Sequence, residues 1–191
     1  PAKSLSQLEK DVQDKPEDAA ARLALGQALL LKKDFARAKV ELRTAIRLGK
    51  GSLVSQKANT ALLTLPKSFV KPKTGAETRM IASMLGLGRT RGLEGSKPTV
   101  IDFSAKWCQP CKQLDGVIGK LKTDYGDKVA FMRVDVDDPN SQALLDQYEV
   151  SPIPTVVFLN TEGEVVNYSV GYSGENSVKD GISKILVLGG K

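Results

Sequence analysis

The stretch Val100-Ile101-Asp102-Phe103-Ser104-Ala105-Lys106-Trp107-Cys108-Gln109-Pro110-Cys111-Lys112 decides how the rest of this chain is read. An apolar run rich in β-branched and aromatic residues, the signature of a strand, ends in Trp-Cys-x-x-Cys and runs on into helical sequence. Cys108 and Cys111 are the only cysteines in the chain. They can close into a small disulfide only if a turn or a first helical turn brings them together, and a helix opening at Cys108 does this. It also sets that sulfur beside unpaired backbone N–H groups and the positive end of the helix dipole, which favour thiolate over thiol. The thiolate is the species that attacks disulfides, so the arrangement points to redox chemistry.

Two other uses of the pair carry less weight. Structural zinc asks for four ligands, and this chain has no second cysteine pair and no histidine, so a site within one chain would need two carboxylates. No metal is therefore expected. A purely structural disulfide across so short a loop removes little chain entropy from the unfolded state.

At 191 residues, 41% of them hydrophobic, the chain has room for one packed core beside a smaller helical unit. No apolar run is long enough for a membrane span and no signal peptide is visible. The chain opens Pro1-Ala2-Lys3 without methionine, which points to a removed leader or a trimmed end. The reading leans to the cytoplasm, with the periplasmic or lumenal side of a membrane as the alternative if a leader or anchor was lost. Charge is uneven. Residues 1–95 carry 18 Lys/Arg against 9 Asp/Glu, and residues 96–191 carry 10 against 13, as two units with different surfaces would. The basic half reads as a lysine-rich solvated face. Its only aromatics are Phe35 and Phe69, too few for base stacking, and no nucleic-acid partner is expected.

The first half is helical by pattern. Leu5, Leu8 and Val12 recur at helical spacing over 4–13. Asp14-Lys15-Pro16-Glu17 reads as a helix start, with Asp14 as the cap. An alanine- and leucine-rich helix then runs from Asp18 to about Lys32. Asp34 caps the next, whose stripe is Phe35, Ala38, Leu42, Ala45 and Ile46, ended by Gly49 and Gly51. Ser52 opens a helix from Leu53 to Leu65, stopped by Pro66. Through Leu25-Gly26, Leu29, Phe35, Ala38, Leu42 and Ala45, residues 18–50 resemble one tetratricopeptide repeat. Arg22 stands in place of its usual early aromatic and Lys50 near its usual closing proline. The resemblance implies a groove for a partner peptide. One repeat with two half-repeats also leaves an apolar face to be covered by the second domain, a twin subunit or a partner protein.

Residues 66–95 read as a basic linker. Within it, Thr74-Gly75-Ala76-Glu77 opens a short amphipathic helix with Met80, Ile81, Met84 and Leu85 on one side. Beyond it the pattern is strand 99–103, helix from 111 to about 125, strand 129–136 and a helix opened by Asp138-Pro139 and ending at Tyr148. A hairpin of strands 155–159 and 164–169 and a final helix 175–188 complete it. This order gives a central mixed sheet flanked by helices. The expected domains are 1–65, helical and similar to the repeat, 66–95, the linker, and 96–191, the α/β unit.

Residues 96–188 resemble thioredoxin. The resemblance rests on Asp102-Phe103-x-Ala105-x-Trp107-Cys108-x-Pro110-Cys111-Lys112, on Ile153-Pro154-Thr155, on Asp137 with Pro139, and on Gly163 and Gly171. It implies an α/β thioredoxin-like fold and a protein-disulfide oxidoreductase needing no cofactor beyond a redox-active Cys108–Cys111 disulfide. Cys108, exposed at the helix start, would attack, and Cys111 would resolve the mixed disulfide. Asp102, buried in its strand, would take and return the proton of Cys111. Arg133 stands where the family has a lysine partner for that carboxylate, and its permanent charge would hold Asp102 more firmly ionised. Trp107, Gln109, Pro110, Ile153 and Pro154, the last in cis, would receive the substrate.

Implied partners are protein substrates with disulfides or thiols, an electron-donating reductase or membrane thiol carrier, and a partner peptide on the helical domain. Gln109 in place of glycine, Ser104 in place of a second tryptophan, and Gly116 in place of a helix-kinking proline suggest a specialist. The family's extra first strand is not obvious, and residues 75–95 would have to supply it. The alternatives are a disulfide isomerase or oxidase in an oxidising compartment, or a redox-regulated chaperone or assembly adaptor.

Overall fold

The structure, a computed structural model, describes residues 3–66 and 97–188. The chain divides into two compact units, Pro1–Val70 and Lys71–Lys191. The linker helix expected around Met80 lies outside the described residues, as does any strand supplied by 75–95.

The first unit is four helices, α1 (Leu5–Asp14), α2 (Ala19–Leu31), α3 (Phe35–Gly49) and α4 (Leu53–Leu63). Each starts where a short polar side chain satisfies free backbone donors. Ser4 forms a capping box with Gln7: its Oγ accepts the Gln7 N–H at 3.3 Å, and Gln7 Oε1 accepts the Ser4 N–H at 2.8 Å. Asp34 and Ser52 cap α3 and α4. Leu8 and Val12 of α1 bury against Leu25 and Leu29 of α2 and Ala38 of α3. The α2–α3 approach depends on Gly26, where a Cβ would stand 2.7 Å from the Leu42 side chain. Arg22, in place of the repeat's aromatic, pairs with Glu41 at 2.8 Å and ties α2 to α3.

One sequence expectation is corrected here. Asp14 is the last residue of α1, and the cap of α2 is Asp18, whose Oδ1 accepts the N–H groups of Ala20 and Ala21 at 2.8 and 3.1 Å. With Val12 buried, α1 runs through Asp14 itself, and the cap of the next helix falls four residues later. Asp18→Ala is expected to cost α2 about 1 kcal/mol, while Asp14→Ala has little effect. Amide exchange of α2 in the full chain reads both.

The second unit is β1 (Thr99–Ser104), α5 (Gln109–Tyr125), β2 (Ala130–Asp135), α6 (Gln142–Gln147, entered through a 3₁₀ turn at Pro139–Ser141), β3 (Thr155–Leu159), β4 (Val165–Val170) and α7 (Glu175–Leu188). The sheet order is β2-β1-β3-β4. β1 and β2 are parallel, and the β1–β3 and β3–β4 pairs are antiparallel. Strand alternation divides the core. Ile101 and Phe103 point into a cluster with Leu145 and Tyr148 at α6. Val100, Val156 and Phe158 point into another with Leu114 and Leu121 of α5 and Ile182 and Ile185 of α7. The sheet is thus covered on both faces. The β3–β4 turn is held by Asn160, whose Oδ1 accepts the N–H groups of Glu162 and Glu164, with Gly163 at φ 77°. Among the described residues no helix is long and apolar enough to cross a membrane.

Candidate active site

β1 ends at Ser104 and the chain turns once before α5, so whatever occupies 105–111 sits at the end of the sheet. Cys108 is the residue before the first turn of α5, with extended backbone (φ −82°, ψ 107°). Its Sγ accepts the backbone N–H of Cys111 at 3.2 Å, the role a serine or aspartate oxygen plays at other helix starts. Pro110 fits the first turn because its missing N–H would have no partner there. Cys108 and Cys111 are joined by a disulfide, with Cα atoms 5.2 Å apart. The N–H aimed at the sulfur and the helix dipole are the two features that stabilise a thiolate once this bond opens.

The expectation of an exposed Cys108 is corrected. Its relative exposure is 2%, because it lies within the same buried cluster as Ala105, Cys111 and Ile153, with Trp107 packed against that cluster. Gln109 is exposed and Pro110 half-buried beside it. Trp107 is anchored by its indole Nε1–H, which donates to Asp137 Oδ2 at 2.7 Å. Asp137 is a site residue that motif reading left without a task. Its position two residues past β2 was the available signal.

The Ile153–Pro154 peptide bond is cis, and so is Ser151–Pro152. Residues 151–155 are buried. Thr155 Oγ1–H donates to the Pro152 carbonyl at 2.6 Å, and the Gly171 N–H donates to the Pro154 carbonyl at 2.8 Å. These bonds tie the loop to the start of β3 and the end of β4. The sequence brings Ile153 to the cysteines as expected.

Asp102 shares the face of Val100 by alternation and is 2% exposed. Its Oδ1 has no hydrogen-bond partner among the described residues, nor has Ser104 Oγ, two residues along the same face. Burial raises the Asp102 carboxyl to about 6, outweighing the downward pull of Arg133, and the Asp115 carboxylate adds to the rise. Here the second site expectation is corrected. Arg133 is the register partner of Asp102 across β1 and β2, yet its Nη1 pairs with Asp115 Oδ1 at 3.0 Å. Desolvation therefore dominates Asp102, and Arg133 does not hold it firmly ionised. Motif reading missed Asp115. Its spacing of four from Cys111 on one helix was the signal.

A mixed sheet, a disulfide at the mouth of a helix and an X-Pro loop packed beside it define a thioredoxin-like redox fold. The thioredoxin family model matches residues 91–184 and leaves α1–α4 outside it. Mitochondrial thioredoxin of Bos taurus is 36% identical over 96 residues, covering 50% of this chain and 56% of that protein. Thioredoxin of Bacillus subtilis is 38% identical over 85 residues, covering 44% of this chain and 79% of that protein. The chloroplastic thioredoxin-like protein HCF164 of Arabidopsis thaliana is 38% identical over 79 residues, covering 41% and 30%. Against the mitochondrial relatives, then, the chain spans little more than half their length. Through its C-terminal unit the chain belongs to the thioredoxin family.

Proposed function

We propose that this chain is a thiol-disulfide oxidoreductase that exchanges disulfides in protein substrates through Cys108-Gln109-Pro110-Cys111, with α1–α4 docking a partner protein. The observation that carries the reading is the Cys108 sulfur capping α5 and accepting the Cys111 N–H, directly linked to a second sulfur. That geometry favours a thiolate on Cys108 when reduced and keeps Cys111 at hand to displace what Cys108 captures.

In the reducing direction, the Cys108 thiolate attacks one sulfur of a substrate disulfide. A mixed disulfide forms, and the first substrate thiolate leaves and takes a proton from water. Cys111 then gives its proton to the Asp102 carboxylate, attacks the Cys108 sulfur and expels the second substrate thiolate. Two electrons have passed to the substrate and the chain holds the Cys108–Cys111 disulfide. A dithiol donor, a reductase or a membrane thiol carrier, restores it. Trp107 and Pro110 keep water from the reacting sulfurs, while Gln109 and the Ile153-Pro154 loop receive the substrate segment. The reading calls for no cofactor beyond the disulfide. Support for docking by the helical unit is that its sequence is similar to a tetratricopeptide repeat, with Leu31, Val40, Leu53 and Leu63 exposed on it.

Equilibrating the full chain with glutathione buffers and quantifying the dithiol tests the reading and its direction. A potential near about −270 mV is expected for a reductant, and one between about −180 and −120 mV would assign an isomerase or oxidant instead. A pair that fails to exchange with glutathione overturns the reading.

A further inference from the structure

The groups around Asp102 form a line of alternating charge. Asp102 is at the buried end, with one carboxylate oxygen unpartnered, so no hydrogen bond to that oxygen stabilises its anion. Its ionisation is then open to charges at longer range, which a buried site screens weakly. Two such charges act on it among the described residues, Arg133 from β2 and Asp115 from α5. Its β3 partner is Val156, and the side chains that share its face from α5 and α7 include the apolar Leu114 and Ile182. On its own strand the uncharged Ser104 hydroxyl favours the Asp102 anion, with a smaller effect than burial, Arg133 or Asp115. Cys111 is the remaining titratable group of the pair Asp102 is read to serve, and it ionises only when reduced.

Arg133 has a choice of carboxylates. Register places it beside Asp102 on the neighbouring strand, and strand spacing puts their backbones about 5 Å apart. A guanidinium turned inward would neutralise Asp102 directly. Instead it reaches outward to Asp115 at 3.0 Å, in a pair with side chains 53% and 35% exposed. Solvation explains the preference: an ion pair at the surface keeps part of its water, whereas one at Asp102 loses it. Asp115 also lies four residues after Cys111, on the same side of α5 one turn along. One residue therefore holds the cation away from the buried acid and adds a negative charge of its own.

We propose that Asp115 is a positioning residue that, by holding the Arg133 guanidinium at the surface, sets the proton affinity of Asp102 and with it the pH range in which Cys111 resolves mixed disulfides. The second half of this rests on the reading of Asp102 as proton acceptor for Cys111; the first half does not. A thioredoxin-like chain that keeps its buried acid partly protonated near neutrality can take the Cys111 proton with a stronger base than a salt-bridged aspartate would offer.

The test uses the reduced full chain. The Asp102 carboxyl is followed by ¹³C NMR against pH, and the rate of mixed-disulfide resolution is measured in single turnovers over the same range with a small protein disulfide as substrate. Asp115→Asn is expected to lower the Asp102 midpoint by about one pH unit and to carry the inflection of the resolution rate down with it. Arg133→Met is expected to raise both. An Asp102 midpoint that stays in place or rises in Asp115→Asn overturns the proposal. Asp102→Asn separates this from the reading beneath it. If that variant keeps the wild-type inflection, Asp102 is not the acceptor and the second half falls, while the carboxyl titration still decides the first.

Discussion

Cys108→Ser is expected to abolish reduction of a protein disulfide, by roughly a thousandfold or more, and Cys111→Ser to trap the substrate on the chain. The two outcomes differ because the two sulfurs differ in place. Cys108 caps α5, where the Cys111 N–H at 3.2 Å and the helix dipole lower the cost of its negative charge. A serine hydroxyl there stays protonated at neutral pH and forms no bond to sulfur, so no first step occurs. With Cys108 present and Cys111 replaced, the first step is intact and the second has no nucleophile. The mixed disulfide then accumulates to about one per chain, visible as a mass adduct without reductant and lost on adding it. Retention of full turnover by both variants would remove the assigned mechanism.

Asp102→Asn is expected to make the protein more stable and less active. The Asp102 carboxyl stands at about 6 in the folded chain, against about 3.9 for an ordinary aspartate. Well below about pH 4 the carboxyl is neutral in both states and carries no penalty. As pH rises from the unfolded value of about 3.9 to the folded value of about 6, the unfolded chain gains an ionised, solvated carboxylate while the folded chain is held back by burial, so stability falls. Above pH 7 the loss is complete, and a difference of two units is about 3 kcal/mol. Replacing the ionisable group with a neutral amide of the same shape removes that loss. Urea unfolding of oxidised wild type and variant should therefore diverge at pH 8 and nearly coincide at pH 4. Equal stability at pH 8 would mean that Asp102 is not desolvated as the structure places it. Retaining a destabilising acid makes sense if it handles a proton in the reaction.

Most of the fold could be read without tertiary information, for a local reason. Period-two apolar runs, helical stripes, the Asn160–Gly163 turn and the cap residues Asp34 and Ser52 each act within a few neighbours of their own position. The failures share a cause as well. Asp14 and Asp18 are both able to cap a helix, and which does so depends on how far α1 is carried by the burial of Val12 against α2. The site shows the same division. Two cysteines three apart with Pro110 between them imply a helix start and a disulfide whatever surrounds them. Their burial, by contrast, depends on a loop more than forty residues away.

The order of strands and helices, the chemistry of the Cys108–Cys111 pair and the presence of a buried acid in β1 were legible in the chain alone, because each follows from spacing within one element. The partner of Arg133, the anchoring of Trp107 on Asp137 and the enclosure of Cys108 emerged only with the folded arrangement. Those are contests between groups on different elements, settled by which approach keeps charges hydrated and apolar surface covered.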